Sequence, residues 1–487
     1  MLKTYRRLIA GLAFFQLVHV LGLMSMLGLL LPGLDPALPF ATRVAYVQEH
    51  VWRWRIGWVP WQLCAVSDVW VSLALARFAR NRWSLMAAVP LVLAIVPEQL
   101  AEAYLIGGYS VSPSAERLRQ CMWWTGSWAA TGYTAMTACW LLALREPSRE
   151  FRWFSFGVLG AFAASGVANH FAWFEREDLF AFQLASALNG VGFTGLLAIG
   201  VRLAMLAGDR RLGEGDAPAV SFSDSLARSV GLRDLLRGMP FPRLQSDIRD
   251  VLYLNWLVPA GALQALVPGG LRIQRHGDSA LLSALVYRHG NFGPRLLGPL
   301  RKLMPSPVQC NLRVYLESPP QHVVFVANSI DSSMYVLGSR LLSDGLPAQR
   351  AERGVARGSG AQLEFALEPA EGWSLGLHAR AELDDQRNLP ADFALAFGDW
   401  QNVVQYIVPQ NTAVRYLPSI ERLCASQIIV DVPADSERPA RVVECRLTQP
   451  WAALVAGLTP FAFVLPSVSF AVLGEQLSDA RGIAPAL

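Results

Sequence analysis

The sequence predicts an α-helical polytopic membrane bundle of about six spans, followed by a soluble domain rich in β-strands. The chain of 487 residues is too long for one ordinary core. Hydrophobic residues make up 53% of the chain and charged residues 16%, yet 12 of the 16 Trp residues precede residue 175. After residue 248 the apolar runs become short, and several alternate with polar residues as strands do. We therefore expect a membrane domain at 1–207 and a β domain at 248–475.

Six stretches are long and apolar enough to cross the ~30 Å hydrocarbon core of a bilayer at ~1.5 Å per residue. They are residues 8–31, 57–76, 84–106, 120–144, 154–174 and 179–206. The first is longer than the core of a signal peptide and no small-residue cleavage site ends it, so we expect an uncleaved helix. Trp residues near the span ends, among them Trp54, Trp58 and Trp173, are typical of an aromatic belt at the membrane surface.

The charges between these stretches predict the orientation of the bundle. Eleven Lys and Arg residues lie in the segments on the side of the N-terminus, and six lie on the other side. Segments rich in Lys and Arg are retained on the cytoplasmic side of a membrane. We therefore expect the N-terminus, and everything after the sixth span, to be cytoplasmic.

Four ionisable residues fall inside predicted spans, where each costs roughly 2.5–3.5 kcal/mol on insertion scales. They are Asp68, Glu98, Glu102 and His170. One interpretation is a polar pocket whose carboxylates and imidazole bind a metal, a proton or a cationic head group. The other is hydrogen bonding between helices, with Glu102 reaching towards the membrane surface. His19, which is alone in the first span, is expected to be a packing residue.

Composition and spacing give no support to several other kinds of site. The net charge of +4 is small and scattered, which argues against nucleic-acid binding. The six Cys residues form no CxxC pair and no HExxH motif occurs, so the sequence indicates no disulfide framework, no metal site and no cofactor. The expected partners are the lipid bilayer and a small ligand.

Residues 208–247 are predicted to form a linker. This segment is polar, but in residues 221–239 the Leu and Val side chains share one helical face beside Arg228, Arg233 and Arg237. Such an amphipathic helix either lies on the anionic inner leaflet or packs on its own domain. Pro240 and Pro242 end the linker.

The β domain is predicted from short apolar runs separated by turn residues. The clearest are residues 281–288, 310–318, 322–329, 374–383, 426–432 and 440–447. Residues 451–473 are nearly uncharged and would also fit a seventh span. Pro460, Pro466 and the alternation after Pro460 instead favour a short helix followed by core strands. Residues 476–487 are expected to be a tail.

Three segments of the β domain resemble the YqjF-like bacterial family of unknown function, in the acetoacetate decarboxylase-like superfamily. They are YLNWLVPAGALQALVPGGLRI at 253–273, QCNLRVYL at 309–316 and VVFVANSIDSSMYVLGSRLLSDGLP at 323–347. The resemblance extends over residues 249–475. It implies a twisted, partly closed barrel around a ligand cavity. Together with the predicted spans, we expect a bacterial inner-membrane protein that carries this barrel.

The resemblance also bears on chemistry. In the decarboxylases of this superfamily, a lysine in a Pro-Lys-Lys turn forms a Schiff base with the ketone of the substrate. The matching turn here reads GLPAQ, with Ala348 and Gln349 at the lysine positions, and Lys302 is the only lysine of the domain. Gln309 replaces the acidic residue of the family. We therefore do not expect imine chemistry, and we favour binding over catalysis.

Six candidate ligand-binding residues remain at matching positions or on nearby turns: Asn311, Arg313, Tyr315, Asp331, Arg340 and His289. The first three share one face of a strand, and a guanidinium with amide and hydroxyl groups can clamp a carboxylate or carbonyl. The alternatives are that this face meets solvent, or that Asp331 forms a structural ion pair with Arg313 or Arg340. His289 is either a general base or a surface residue.

These features lead to three hypotheses of function. In the first, a cytoplasmic barrel binds, or also transforms, a small organic acid or lipophilic carbonyl compound that Arg313 anchors. In the second, the protein senses a ligand or couples its binding to transport, without chemistry of its own. In the third, the helical bundle is a lipid-modifying enzyme that uses its intramembrane polar residues.

Overall fold

The computed structural model describes residues 2–145, 148–175, 179–212, 226–239, 241–433 and 435–479. The chain forms two compact units. The helical unit comprises Met1–Asp216 and Ser229–Leu235, and the β unit comprises Ala217–Arg228 and Leu236–Leu487. Residues 213–225 and Pro240 of the predicted linker, and residues 480–487 of the predicted tail, lie outside the described residues.

The helical unit is built from long helices, four of which include a π-helical turn. Their bounds are α1 Leu2–Leu34, α2 Phe40–Glu49, α3 Val51–Ala79, α4 Arg82–Gly108, α5 115–144, α6 Arg149–Trp173, α7 Leu179–Leu212 and α8 Val230–Leu236.

Within the described residues, five helices are long and apolar enough to cross a membrane: α1, α3, α4, α6 and α7. The sequence predicted about six spans. The predicted span at 120–144 is helical, because it lies inside α5. It is less apolar than the others, since it contains four Thr residues and five aromatic residues of low hydropathy.

Glycine residues allow neighbouring helices to approach closely. A Cβ atom at Gly195 of α7 would lie 2.2 Å from Cγ2 of Val158 in α6. One at Gly132 of α5 would lie 2.9 Å from the carbonyl oxygen of Pro90 in α4. Close contact at small residues is a common way for helices to pack in lipid.

Three of the Trp residues assigned to an aromatic belt lie inside the helical unit instead. Trp54, Trp58 and Trp173 are at most 2% exposed. The indole of Trp54 donates a hydrogen bond to the carbonyl oxygen of Leu105 at 2.6 Å, and its ring packs against Trp58 at 5.6 Å. These rings fill space between helices. Their positions near the ends of predicted spans did not distinguish this packing role from a place at the membrane surface.

Residues 229–235 of the amphipathic segment pack within the helical unit. Leu232 of α8 is buried. The hydroxyl of Tyr5 donates a hydrogen bond to the carboxylate of Asp234 at 2.6 Å. A Cβ atom at Gly231 would collide with the carbonyl oxygen of Ala204 at 1.7 Å. Of the two interpretations of this segment, the contacts favour packing on the protein.

The described residues of the β unit form one sheet of thirteen strands. The strands are β1 Leu244–Pro259, β2 Arg275–His276, β3 Ser279–Arg288, β4 Gly293–Pro294, β5 Val308–Tyr315, β6 His322–Ile330, β7 Gln349–Ser359, β8 Gln362–Pro369, β9 Leu377–Leu383, β10 Thr412–Leu417, β11 Arg422–Asp431, β12 Arg438–Leu447 and β13 Phe461–Asp479. The helices are α9 Ala260–Gln264, a 3-10 helix at Arg295–Leu303, α10 Ser333–Leu342, α11 Ala391–Phe397, α12 Trp400–Ile407 and α13 Trp451–Leu454. Each of the six apolar runs of the sequence overlaps a strand.

Seven strands of the sheet pair in a closed series, in which the last strand pairs with the first. The sequence of antiparallel pairs runs from β13 through β1, β3 and β5 to β6. β6 then pairs in parallel with β10, and β10 leads through β11 back to β13. These seven strands form a continuous hydrogen-bonded ring, which we call the strand ring. The strands β7, β8, β9 and β12 form a second path between β6 and β13.

Residues 451–473 form α13 and most of β13 instead of a seventh span. Phe461, Phe463 and Leu465 are buried, and each pairs with a residue of β1. The strand extends to Asp479, four residues beyond the predicted end of the β domain, because this end pairs with β11.

Candidate functional site

The β unit contains a cavity of about 260 Å³, which we call the β cavity. This volume is close to the lower end of the roughly 300–1,000 Å³ typical of ligand pockets. Its wall comes from six strands of the strand ring, β1, β3, β5, β6, β11 and β13, while α10 covers one side. Most lining side chains are apolar. Among the described residues, the lining has Arg313 and His289 as its basic groups and contains no Lys, Asp, Glu or Cys.

The alternation of side chains along β5 presents its polar residues to the β cavity. The even-numbered residues, such as Cys310 and Val314, are buried in the apolar core on the other side of the sheet. Asn311 and Arg313 therefore face the opposite way, and both line the β cavity. Tyr315 lies on the same face but just beyond the lining.

Arg313 brings a positive charge into this apolar wall, where it is 3% exposed. Its Nε donates a hydrogen bond to the hydroxyl of Tyr315 at 3.0 Å, and its Nη2 donates to the carbonyl oxygen of Ile407 at 2.6 Å. The guanidinium carbon lies 5.6 Å from the centre of the Tyr253 ring. In the part of the chain that the structure describes, none of its partners is a carboxylate. The charge is therefore held by neutral oxygens and aromatic rings.

Asn311 and Tyr315 differ in how their polar atoms are used. The hydroxyl of Tyr315 also forms a hydrogen bond with Oγ of Ser283 at 2.8 Å, which fixes the phenol beside Arg313. Nδ2 of Asn311 donates to the hydroxyl of Tyr287 at 3.4 Å, but its Oδ1 is buried without a hydrogen-bond partner among the described residues. An unsatisfied buried acceptor costs about 1–3 kcal/mol. Oδ1 of Asn311 is therefore available to a donor on a ligand.

His289 is buried on the wall of the β cavity and is not a surface residue. Its Nε2 lies 2.7 Å from Oε1 of Gln309 and its Nδ1 lies 2.8 Å from Oγ of Ser246, while the ring stacks on Phe292 at 4.1 Å. Burial lowers the pKa of His289 to about 4, although the hydrogen bond to Gln309 opposes this shift. The imidazole is therefore neutral at pH 7, and both of its nitrogens are engaged, which makes it poorly placed as a general base.

Ala348, which the resemblance in sequence matches to a lysine of the decarboxylases, lies on this wall and carries no amine. Ala348 lines the β cavity and is 3% exposed. Gln349 is used elsewhere, because its Oε1 accepts hydrogen bonds from the backbone nitrogens of Ser374 and Leu375 at 3.1 and 2.9 Å. Lys302 lies in the 3-10 helix and does not line the β cavity.

Asp331 and Arg340, which the sequence grouped with the other candidates, do not line the β cavity. Oδ1 of Asp331 accepts a hydrogen bond from the backbone nitrogen of Val308 at 2.8 Å. Nε of Arg340 donates to the carbonyl oxygen of Ala348, and its guanidinium lies 4.5 Å from the Trp373 ring. Both side chains therefore support the backbone. Helical periodicity explains Arg340, since residues 338 and 342 of α10 face the cavity and residue 340 lies on the other side.

The helical unit contains a cavity of about 750 Å³, which we call the helical cavity. Asp68, Glu98 and Glu102 line it, as the pocket interpretation requires. His170 does not line it. Its Nδ1 accepts a hydrogen bond from the indole of Trp123 at 2.9 Å. His19, expected to be a packing residue, lines it instead. Among the described residues, no three His, Cys, Asp or Glu side chains converge as metal ligands do.

Sequence reasoning missed much of the polar wall of the β cavity, including Tyr253, Tyr287 and Asn328. These residues lie in strands whose strongly apolar composition hides the difference between the two faces. The structure places Tyr287 opposite Gln309 in the register that joins β3 to β5, so Tyr287 belongs to the same face as Arg313. The sequence alone does not supply this register.

Solved structures similar to the β unit are acetoacetate decarboxylase-like proteins. They include acetoacetate decarboxylase from Legionella pneumophila (11% identity, TM-score 0.36, covering 49% of this chain and 87% of that chain). An acetoacetate decarboxylase-like enzyme from Sphingomonas wittichii RW1 has 13% identity and a TM-score of 0.35, covering 48% and 93%. The enduracididine biosynthesis enzyme MppR complexed with pyruvate has 16% identity and a TM-score of 0.35, covering 50% and 92%.

Residues 245–392 match the model of the DUF2071 family, described as "Uncharacterized conserved protein (COG2071)". The match confirms the resemblance of the β unit to the YqjF-like family. The helical half has no family match. No curated protein matches the chain.

Proposed function

We propose that the β unit binds a small amphiphilic organic acid in the β cavity, with the carboxylate of the ligand on Arg313. The observation that carries this proposal is a buried guanidinium on the wall of an apolar cavity, with no carboxylate partner among the residues that the structure describes. A buried charge costs several kcal/mol unless an opposite charge compensates it. A ligand carboxylate supplies that charge and accepts hydrogen bonds from the guanidinium.

The remaining lining defines the rest of the ligand. Ile248, Val251 and Phe325 belong to a wall that suits an alkyl or aryl body. Oδ1 of Asn311 favours a ligand that also carries a hydrogen-bond donor, such as a hydroxyl group. The positive charge of Arg313 disfavours a cationic ligand, as does the lack of Asp and Glu in the described part of the lining.

The proposal is a binding function without Schiff-base chemistry. Ala348 occupies the wall where a lysine would have to lie, and neutral His289 has both nitrogens engaged. Among the described residues, the polar groups of the wall therefore hold a ligand in place but include no lysine amine that could form a Schiff base.

We extend the proposal to the surroundings of the site. The strand ring forms a partly closed barrel around the β cavity, and the apolar helices anchor the protein in a bacterial inner membrane. The N-terminus and the β unit lie in the cytoplasm, as the distribution of Lys and Arg favours. A lipophilic acid partitions into the membrane surface, so an anchored binding unit would meet its ligand there.

The test is native mass spectrometry of the full chain in a mild detergent, before and after addition of octanoate. We expect a co-purified organic acid, or one saturable octanoate adduct. Ala348→Leu fills the β cavity and should abolish the adduct, whereas Ala391→Leu, at an exposed position of α11, should retain it. The same adduct in all three proteins would contradict the proposal.

A further inference from the structure

The helical cavity carries only acidic formal charges. Helices α1, α3, α4, α5, α6 and α7 all contribute to its lining. Among the described residues, that lining contains four carboxylates, of Asp35, Asp68, Glu98 and Glu102, and it contains no Arg or Lys. The described lining therefore provides carboxylate oxygens as hydrogen-bond acceptors, but no Lys or Arg side chain that would neutralise their charge.

Two of these carboxylates are held in place by neutral donors. The hydroxyl of Tyr133 donates a hydrogen bond to Oε2 of Glu98. Oε2 of Glu102 accepts hydrogen bonds from the amides of Gln62 and Gln99, the latter at 3.2 Å. These bonds orient the carboxyl groups but bring no positive charge to them.

Asp68 is the independent sign of a ligand. Its side chain is 4% exposed and lines the helical cavity, yet its Oδ1 has no hydrogen-bond partner among the described residues. Nε2 of His19 lies 4.0 Å from this Oδ1. Nδ1 of His19 must carry a proton, because it contacts the carbonyl oxygen of Phe15 at 2.9 Å. In the neutral imidazole Nε2 is therefore a second unused acceptor beside Asp68.

Aromatic rings make up much of the remaining wall. Trp58, Trp61 and Trp173 line the helical cavity, and the indole N–H of each is buried without a partner in the described part of the chain. The faces of such rings attract organic cations, and the N–H groups offer donors to an oxygen atom on the same ligand. Residues of π-helical turns, including Leu27 and Gly126, complete the lining, and such turns are frequent at functional sites.

We propose that the helical cavity binds an organic cation with an apolar body, whose positive group lies against Asp68 with Glu98 and Glu102 nearby. This site is independent of the organic-acid site of the β unit and takes a ligand of opposite charge. A quaternary or protonated ammonium group places a positive charge beside Oδ1 of Asp68, which has no hydrogen-bond partner among the described residues. The rings and aliphatic side chains accommodate the apolar part.

The test is equilibrium binding of radiolabelled tetraphenylphosphonium to the full chain in dodecyl maltoside. We expect saturable binding that weakens at least tenfold in Asp68→Asn and in Glu98→Gln. Glu116→Gln, which removes an exposed carboxylate at the start of α5, should bind as wild type does. Size-exclusion profiles establish that each variant is folded, and Trp61→Leu provides a second route to the same loss if a carboxylate variant does not fold.

Competition identifies the source of the cation. Displacement of the probe by phosphatidylethanolamine would assign the ammonium to a lipid head group, and displacement only by soluble amines would assign it to a free cation; both support the proposal. No saturable binding, equal affinity in wild type and Asp68→Asn, or displacement by Zn²⁺ or Mg²⁺ alone would overturn it.

Discussion

Replacing Arg313 with Met separates a binding role of this residue from a role in folding. Met keeps a flexible apolar chain at the position but removes the charge. The substitution also removes the hydrogen bonds to the hydroxyl of Tyr315 and the carbonyl oxygen of Ile407, at 3.0 and 2.6 Å. At the same time it relieves the cost of burying a guanidinium that has no carboxylate partner in the described part of the chain.

The size of each effect follows from these contacts. A hydrogen bond to a charged group contributes about 1.5–3 kcal/mol, and 1.4 kcal/mol is a factor of ten in affinity, so carboxylate binding should weaken roughly 10- to 100-fold. The lost internal hydrogen bonds and the relieved desolvation oppose each other. We therefore expect the free energy of unfolding to stay within about 2 kcal/mol of the wild-type value.

Isothermal titration of octanoate into the full chain in detergent measures the affinity. Arg288→Met is the matched control, because Arg288 is exposed at the end of the neighbouring strand β3 and does not line the β cavity. If Arg313→Met binds octanoate as tightly as Arg288→Met, the carboxylate is not held by Arg313. Loss of the folded protein in size-exclusion chromatography would instead assign Arg313 a structural role.

Other perturbations test separate parts of the molecule. Burial lowers the pKa of His289 from 6.5 to about 4, so the unfolded state binds more protons between these values. The free energy of unfolding should therefore fall by up to about 3 kcal/mol as the pH drops through that window. In urea titrations at pH 7 and pH 5, this fall should be smaller for His289→Gln than for the wild-type protein. Equal falls in the two proteins would contradict this. Borohydride added with acetoacetate should leave the mass of the protein unchanged, because the described lining of the β cavity contains no Lys; a reduced adduct on a lysine would refute this. Gly195→Ala should lower the thermal stability of the protein in detergent, since its Cβ would lie 2.2 Å from Val158, whereas Gly190→Ala in the same helix meets no atom within 4 Å; equal stabilities would count against the packing of α6 on α7. Green fluorescent protein fused after residue 487 should fluoresce and alkaline phosphatase fused there should be inactive, because the β unit is proposed to be cytoplasmic; the reverse pattern would place it outside.

The sequence predicted best those elements whose residues repeat regularly. The runs 281–288 and 322–329 alternate or are strongly apolar between turn residues, and they lie in β3 and β6. Pro460 and Pro466 correctly argued against a seventh span, since a strand can begin after one proline and include another where pairing permits. The shared face of Asn311 and Arg313 also followed from period two, because a strand has only two faces.

The residues that line each cavity could not be predicted in the same way. Asp331 and Arg340 are near Arg313 in the sequence, but one binds the backbone of β5 and the other lies on the outer face of α10. His19 and His170 are both single imidazoles in apolar helices, and only the packing of six helices decides that His19 meets Asp68. Such contacts depend on register and helix rotation, which short-range patterns do not specify.

The most direct test of the carboxylate site in the β cavity compares two ligands of equal length on the wild-type chain. Octanoate and octanol share an alkyl body, but only the acid offers a charge to Arg313. Isothermal titration should show octanoate binding at least tenfold more tightly than octanol, since the charged hydrogen bond is worth about 1.5–3 kcal/mol. Equal affinities, or tighter binding of octanol, would contradict the assignment of Arg313 as the anchor of an organic acid.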